Sequence, residues 1–470
     1  MRRIHLVAAL LVGCASQLAP GVRTALEFRV CEADFECAEL RVPVDPARPG
    51  AGELSLAILR RPAEMPAERV GVLIVNPGGP GISAVDHLRG SASRYDAVLR
   101  ERFDLVAFDT RGTGASAALD CHESLGAYLA QDPTPDTDAE WTSAVAASRA
   151  LAEECARKHP ELLPFMGTRE SAGDMDLVRA ALGEEQVSYL GFSYGTALGA
   201  CYARLFPARV RAMVLDGAID PSFDLLLFAR EQAVAVEHAF TEYEAAAQRE
   251  GWHGLAVLEA VSASAALTPV PNGAGARPAL ASDILYGSVE AVTDPGVGWH
   301  ELASALGAAQ AGDGDPFVRL SDQYFGREPD GSSALRVETQ LAVLCADLHR
   351  LASAEAYRDA IPELEHASPH IGVANLMSLL PCAFWVPPAR PLEPLRAVEA
   401  TGILVIAGRE DPLTPHVWGE RLAEQLPLAT LLSVDTQEHT AFARGRACVD
   451  GAVVSFLLSG KRPEPVPVCP

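Results

Sequence analysis

Short runs of Val, Ile and Leu alternate along the chain with longer stretches whose apolar positions return at helical spacing. Continuous apolar runs suit strands buried on both faces, and amphipathic stretches suit helices laid over them, so the pattern predicts a mostly parallel sheet flanked by helices. The main strands are expected at Leu54 to Leu59, Val70 to Val75, Leu105 to Phe108, Val187 to Gly191, Val210 to Leu215, Ile403 to Ala407 and Leu431 to Val434. Between the fifth and sixth of these the alternation stops. From about Phe223 to Leu395 the chain is rich in Ala, Glu and Leu at helical spacing, broken by a Pro/Gly loop near Pro269 to Pro278. A helical cap at 223–395, inserted into a sheet core made of 22–222 and 396–470, accounts for this order.

Length agrees with that division, since 470 residues exceed the usual single-domain range. Charge changes the picture more. A formal net charge of −24 opposes nucleic acid or an anionic membrane surface as a partner, because both would be repelled. At the start of the chain Arg2 and Arg3 precede an apolar run, Ile4 to Val12, that is too short to span a bilayer, so residues 1–13 read as an export signal. The run ends in Leu11, Val12, Gly13 and Cys14, which resembles a bacterial lipobox, where the cut falls before a cysteine that then carries lipid. An ordinary secretory signal cut near Ala15 or Ala19 is the other reading. Both place the protein outside the cytoplasm, in the cell envelope as a lipoprotein or secreted. Removing residues 1–13 takes away Arg2 and Arg3 and no acid, which carries the charge from −24 to −26. No later stretch is long and apolar enough for a membrane helix, so membrane contact is expected only through the lipid anchor.

Nine further cysteines fit an oxidising compartment. Short loops are the easiest to close, which pairs Cys31 with Cys37, Cys121 with Cys155, Cys345 with Cys382 and Cys448 with Cys469. Cys201 is left over in an apolar helical run, as a buried inert thiol. No paired C-x-x-C or H-E-x-x-H spacing occurs, so neither a metal nor any other cofactor is expected.

The chemistry concentrates in one constellation. Gly191, Phe192, Ser193, Tyr194 and Gly195 form a G-x-S-x-G between a strand pattern and a helix pattern. That context is the nucleophile elbow of an α/β-hydrolase fold, in which flanking glycines let the backbone turn sharply and lift the serine Oγ above the sheet. A serine hydroxyl needs a base to take its proton and a carboxylate to orient that base, in the chain order Ser, acid, His. Asp411 follows the strand Ile403 to Ala407, and His439 lies just beyond Leu431 to Val434, 28 residues after Asp411. Glu410 and Asp216 are the rival acids. Asn76, Pro77, Gly78, Gly79, Pro80 and Gly81 follow another strand and offer backbone donors for an oxyanion, with Gly79 and Tyr194 as the expected pair. A phosphate cradle is the competing use of such a loop, but no Lys and no Walker-like spacing follows it. Asp109 and Arg111, in the loop after the next strand, read as bracing for the active-site loops.

Taken together, Asn76 to Gly81, Asp109 to Gly114, Gly191 to Thr196, Asp411 with Pro412, and His439 resemble the secreted tripeptidyl aminopeptidases of actinomycetes and their prolyl aminopeptidase relatives. The resemblance spans nearly the whole mature chain and includes Cys37 before Val42 to Asp45, Cys345 with Ala346 and Asp347, and Cys448. It implies an exopeptidase that releases short peptides from free N-termini through an acyl-enzyme, with peptides as its partners and the cap limiting access. It also implies cap carboxylates that hold the substrate's amino group, for which Glu231, Glu237 and Asp347 are candidates. One position departs from the pattern: Glu438 stands where the family usually has Gly before its histidine. The same triad would serve a carboxylesterase on small acyl esters, the alternative reading, because the cap alone sets the choice of bond. An inactive lipid-anchored binding protein is the alternative from another class, and intact Ser193, Asp411 and His439 speak against it.

Overall fold

The computed structural model describes residues 26–273, 277–327, 337–395, 400–461 and 468–469. The expected signal segment 1–13, Cys14, and the return from cap to core at 396–399 lie outside the described residues. Among the described residues nine strands form one sheet: β1 (Arg29–Glu32), β2 (Phe35–Pro43), β3 (Glu53–Arg61), β4 (Gly71–Asn76), β5 (Phe103–Phe108), β6 (Val187–Phe192), β7 (Val210–Asp216), β8 (Ile403–Gly408) and β9 (Ala429–Val434). Their spatial order is β1-β2-β3-β5-β4-β6-β7-β8-β9. From β5 to β9 every pairing is parallel, while β1, β2 and β3 join as an antiparallel meander. Each strand expected from the sequence is present.

The apolar runs are continuous because both faces of the central strands are covered. Alternate residues divide between the faces: Val72 and Ile74 pack with Met175, Leu198 and Leu422 of the helices Thr168–Ala181, Tyr194–Leu205 and His416–Gln425. Leu73 and Val75 pack on the other side with Leu88, Leu99 and Val453 of the helices Ala84–Ser91, Ala97–Arg102 and Ala447–Ser459. β1 and β2 are the strands beyond those expected. Every residue of β1 is exposed, so it leaves no apolar signature, whereas β2 alternates buried Ala38, Leu40 and Val42 with Glu39 and Arg41.

Between β7 and β8 the chain forms a run of helices from Leu225–Arg249 to Gly372–Met377. Part of this insert closes its own apolar cluster, around Phe240, Leu302 and Phe317. Another part packs against helix Asp138–Lys158, from the segment between β5 and β6, so Leu151 and Cys155 share a core with Leu341, Tyr357 and Trp418. The chain thus builds over the sheet from two separate excursions. Amphipathic helices look alike in sequence whether they pack on a sheet or on one another, which is why the earlier excursion carries no distinguishing mark.

Four disulfides join Cys31 to Cys37, Cys121 to Cys155, Cys345 to Cys382 and Cys448 to Cys469. The last brings Cys469 into a bridge with Val434, where it covers the edge of β9. Cys201 is free and buried, and burial pushes its thiol up to about 12, which keeps it inert.

Candidate active site

Ser193 stands between the end of β6 and helix Tyr194–Leu205 with φ 53° and ψ −125°, a conformation a non-glycine residue holds only when its surroundings impose it. The surroundings do so through close packing. A Cβ at Gly191 would fall 2.5 Å from the Gly195 carbonyl oxygen, and one at Gly195 would fall 2.8 Å from that of Asn76. The turn is fastened by the Ser193 N–H, which donates to the Asp216 carbonyl at 2.9 Å.

The loop after β4 lies against this elbow. Asn76 Oδ1 accepts the N–H of Gly78 at 3.0 Å, and Gly78 has φ 97°. A Cβ there would sit 2.9 Å from Tyr194 N and 2.9 Å from Ser193 Cβ, so only glycine lets the two backbones meet. Gly79, Ser193 and Tyr194 line the same cavity. Asp109 and Arg111 brace these loops as the sequence suggested. Asp109 accepts from Ser83 Oγ at 2.8 Å and from the N–H groups of Val85 and Ala115. The buried Arg111 guanidinium pairs with Asp174 at 2.7 and 2.8 Å and donates to the carbonyls of Val44 and Phe165.

Asp411 and His439 meet. His439 Nδ1 lies 3.0 and 3.1 Å from the two Asp411 oxygens, which also accept the N–H groups of Leu413 and Thr414 and the Thr414 hydroxyl. Burial would raise the Asp411 pKa, but the imidazole and these donors hold it below the ordinary carboxylate range. Burial would likewise depress His439, and the Asp411 charge and hydrogen bond outweigh it, so the imidazole pKa is raised. Its side chain keeps 21% exposure and its Nε2 side is free of protein partners among the described residues. No hydrogen bond joins Ser193 Oγ to His439 among the described residues, although their strands β6 and β9 are separated only by β7 and β8. Both rival acids have other places. Glu410 is exposed and borders a surface crevice with Gln437, while Asp216 accepts the backbone N–H groups of Ala441 and Phe442. Glu438, the departure before the histidine, turns its carboxylate towards Arg446 at 3.4 Å.

Above Ser193 lies a cavity of about 180 Å³. Its walls are mostly apolar and aromatic: Tyr128 comes from the segment between β5 and β6, and Phe228, Tyr286, Tyr324 and Leu344 come from the insert. Among the described residues three carboxylates, Asp132, Asp220 and Asp347, border it, and no Lys, Arg or His does. Asp132 and Asp220 accept local donors from Thr134 and Ser222. Asp347 is different. It ends helix Val337–Asp347 and is buried, and among the described residues its oxygens are held by Thr168 alone, whose N–H lies 3.1 Å from both. Burial, with some help from Glu170, pushes its pKa up to about 7. Thr168 in turn hydrogen-bonds the Tyr194 hydroxyl at 2.5 Å, which links Asp347 to the residue after the serine.

The other two carboxylates expected at the substrate's amino group, Glu231 and Glu237, have protein partners of their own. Glu231 is held by Arg421 through two bonds of 2.8 Å and by Trp418 Nε1 at 2.7 Å. Glu237 accepts from His370 and Ser368. Neither borders the cavity, since a carboxylate on a helix faces whichever cation the neighbouring element offers. Thr414 is a site residue that the sequence reading missed. It borders the cavity and lies 3.4 Å from His439 Nδ1, and its only signal is its place three residues after Asp411 in an Asp-led turn.

Two family models match the chain: residues 71–251 match the alpha/beta hydrolase fold, and residues 368–469 match the TAP-like protein family. Among curated relatives, serine protease Hip1 of Mycobacterium tuberculosis is 31% identical, over 97% of this chain and 94% of that protein. Carboxylesterase B of M. tuberculosis is 36% identical over 91% and 85% of the two chains. Tripeptidyl aminopeptidase of Streptomyces lividans is 30% identical over 96% and 87%. With a strained serine at a strand-to-helix elbow, a buried Asp–His pair two strands away and similarity along almost the full length of these proteins, the chain belongs to the α/β-hydrolase family, in its TAP-like group.

Proposed function

We propose that this protein is an exported serine exopeptidase that releases short peptides from free N-termini through an acyl-enzyme. Ser193 Oγ attacks the scissile carbonyl while His439 Nε2 takes its proton, and Asp411 holds the imidazole in the tautomer that leaves Nε2 free and stabilises the imidazolium. The backbone N–H groups of Gly79 and Tyr194 receive the negative charge on the carbonyl oxygen. The imidazolium then returns the proton to the leaving amine, and water repeats the sequence on the ester. The Ser193–His439 hydrogen bond closes in the substrate complex, as catalytic bonds that are open in the free enzyme commonly do.

The observation that carries the exopeptidase reading is the cavity over Ser193, with its buried, under-used carboxylate Asp347 and no cation on its lining among the described residues. A desolvated carboxylate seeks a positive partner, and the free end of a peptide is an ammonium. In this reading 223–395 acts as the cap of a core made of 22–222 and 396–470, joined by the helices between β5 and β6. Four disulfides support an oxidising compartment and hence export, with Cys14 as the lipidation site. Replacement of Cys14 by Ala should move the protein from the membrane fraction to the medium.

A second reading has its own support: the relative named carboxylesterase B favours an esterase on small acyl esters. A panel of chromogenic peptide amides with free and blocked N-termini, alongside simple acyl esters, decides between them. Turnover confined to free N-termini is expected. Equal or better turnover of blocked peptides or short esters would replace the exopeptidase reading with the esterase one.

A further inference from the structure

Asp216 is wholly buried and takes no direct part in the relay proposed above, yet it stands between two of its members. It ends β7, in register with Phe192 on one side and Ile406 on the other. Its main-chain carbonyl accepts the Ser193 N–H at 2.9 Å. Its side-chain oxygens accept the N–H of Ala441 at 3.0 and 3.1 Å and that of Phe442 at 2.8 Å, two and three residues past His439. The loop so held requires holding, because Thr440 and Ala443 adopt φ 67° and 61°, left-handed backbone that favours glycine. The next residue, Gly217, completes the contact. A Cβ there would lie 3.3 Å from His439 Cε1 and 3.0 Å from Thr440 Cγ2, so the corner after Asp216 is the surface on which the imidazole rests.

Asp411 cannot supply this alignment alone. It follows β8, fixes the ring's Nδ1 and accepts the Thr440 N–H at 3.3 Å, but among the described residues it makes no hydrogen bond to the nucleophile turn, since Ser193 hangs from β6 and β7 separates the two. We propose that Asp216 is a positioning residue that fixes His439 against Ser193, gripping the histidine loop with its carboxylate and the nucleophile turn with its carbonyl, while its charge favours the imidazolium formed during proton transfer. This rests on the assignment of Ser193, His439 and Asp411 as the relay.

The charged groups that face Asp216 are Asp411 and His439, and Arg444 faces His439 itself. Burial, opposed by the two N–H donors and aided by the Asp411 charge, raises the Asp216 pKa to about 6. As pH falls through that value the carboxyl loses its charge and one acceptor, so the acid limb of activity in the native enzyme carries the protonation of Asp216 as well as that of His439.

Asp216→Asn keeps the shape and one acceptor but loses the charge. The expected result is a fall in kcat of about 100-fold, the cost of a misplaced catalytic group, with KM little changed. The acid limb of kcat should also move to lower pH, because loss of a neighbouring negative charge lowers the His439 pKa. An unmoved acid limb, or a loss expressed in KM alone, overturns the proposal. Should D216N fold poorly, Asp216→Glu supplies the second arm: it retains the charge but displaces it by a methylene, so the limb should stay near the native position while kcat remains low. The rate at which a fluorophosphonate labels the folded fraction gives the same pH profile without turnover. S193A and D411N run in parallel separate the two failures. Full turnover by either ends the relay assignment, whereas loss in both with a native kcat and pH limb in D216N removes only the role given to Asp216.

Discussion

The strand ends form a floor that carries Ser193, Asp411 and His439, of which Ser193 borders the cavity, whereas the cavity wall is made of aromatic side chains from two excursions of the chain. The floor is over-determined. Asp411 accepts three backbone N–H groups and Asp216 two, and Ser193 is locked by glycines that a methyl group would push apart. In the wall Asp347 is a buried carboxylate with spare capacity, and around it pack Tyr286, Tyr324 and Phe325. Chemistry that must align atoms within a fraction of an ångström belongs on the rigid part, and the choice of substrate belongs on the part that can be repacked.

Substitutions can break this contrast in graded steps. The largest effect is expected from Ser193→Ala, which should lower kcat about a million-fold and abolish fluorophosphonate labelling while the thermal midpoint is retained. Asp411→Asn should cost about ten-thousand-fold in kcat with KM little altered, because the imidazole loses its tautomer and the support for its charge. Gly78→Ala tests the backbone contact itself. A Cβ 2.5 Å from the Phe192 carbonyl oxygen must separate the loop from the elbow, and loss of oxyanion alignment should lower kcat by about 100- to 1000-fold.

The wall should respond in specificity. Asp347→Asn should lower kcat/KM for peptides with free N-termini roughly 10- to 100-fold, as expected for a hydrogen bond to a charged group, and leave blocked substrates unchanged. Native KM for free N-termini should fall as pH rises from about 6 to about 7, since Asp347 ionises near 7 while the α-ammonium keeps its proton, and only the carboxylate attracts it. Stability should run the other way. With the folded pKa raised, the favourable protonated state is held below the ordinary carboxylate range and lost as pH rises through about 7, and D347N should abolish that slope in thermal unfolding. The smallest effect is reserved for Glu231→Gln. It weakens a partly exposed ion pair with Arg421 worth about 1 kcal/mol, so the thermal midpoint should drop by a few degrees and kcat/KM should change by less than about threefold. A larger loss on free N-termini would return Glu231 to the site.

Much of the fold was legible because the sheet is buried on both faces. Val72 to Val75 and Ile403 to Ala407 have no polar face, so they stand out as apolar runs bounded by turn residues. β1 was illegible for the opposite reason, being exposed throughout and held by pairing and a disulfide. The positions proposed for the triad stand out in the sequence because each lies within a few residues of a strand end and in the required order. The partners of Glu231 and Glu237 were illegible because a helical carboxylate carries no mark of which way it faces. Only the packing of Trp418 and Arg421 against one, and of His370 against the other, reveals that both are spoken for.

By itself the sequence determined the order of strands and helices, the elbow around Ser193, the glycines that permit it and the loop that accompanies it, because these depend on local periodicity and on backbone angles that few residues tolerate. Only the tertiary structure decided which carboxylate pairs with His439, which one is left buried beside the cavity, and how Asp216 joins the histidine loop to the serine turn. Those outcomes depend on contacts between residues up to 226 positions apart, and no local pattern encodes a contact of that span.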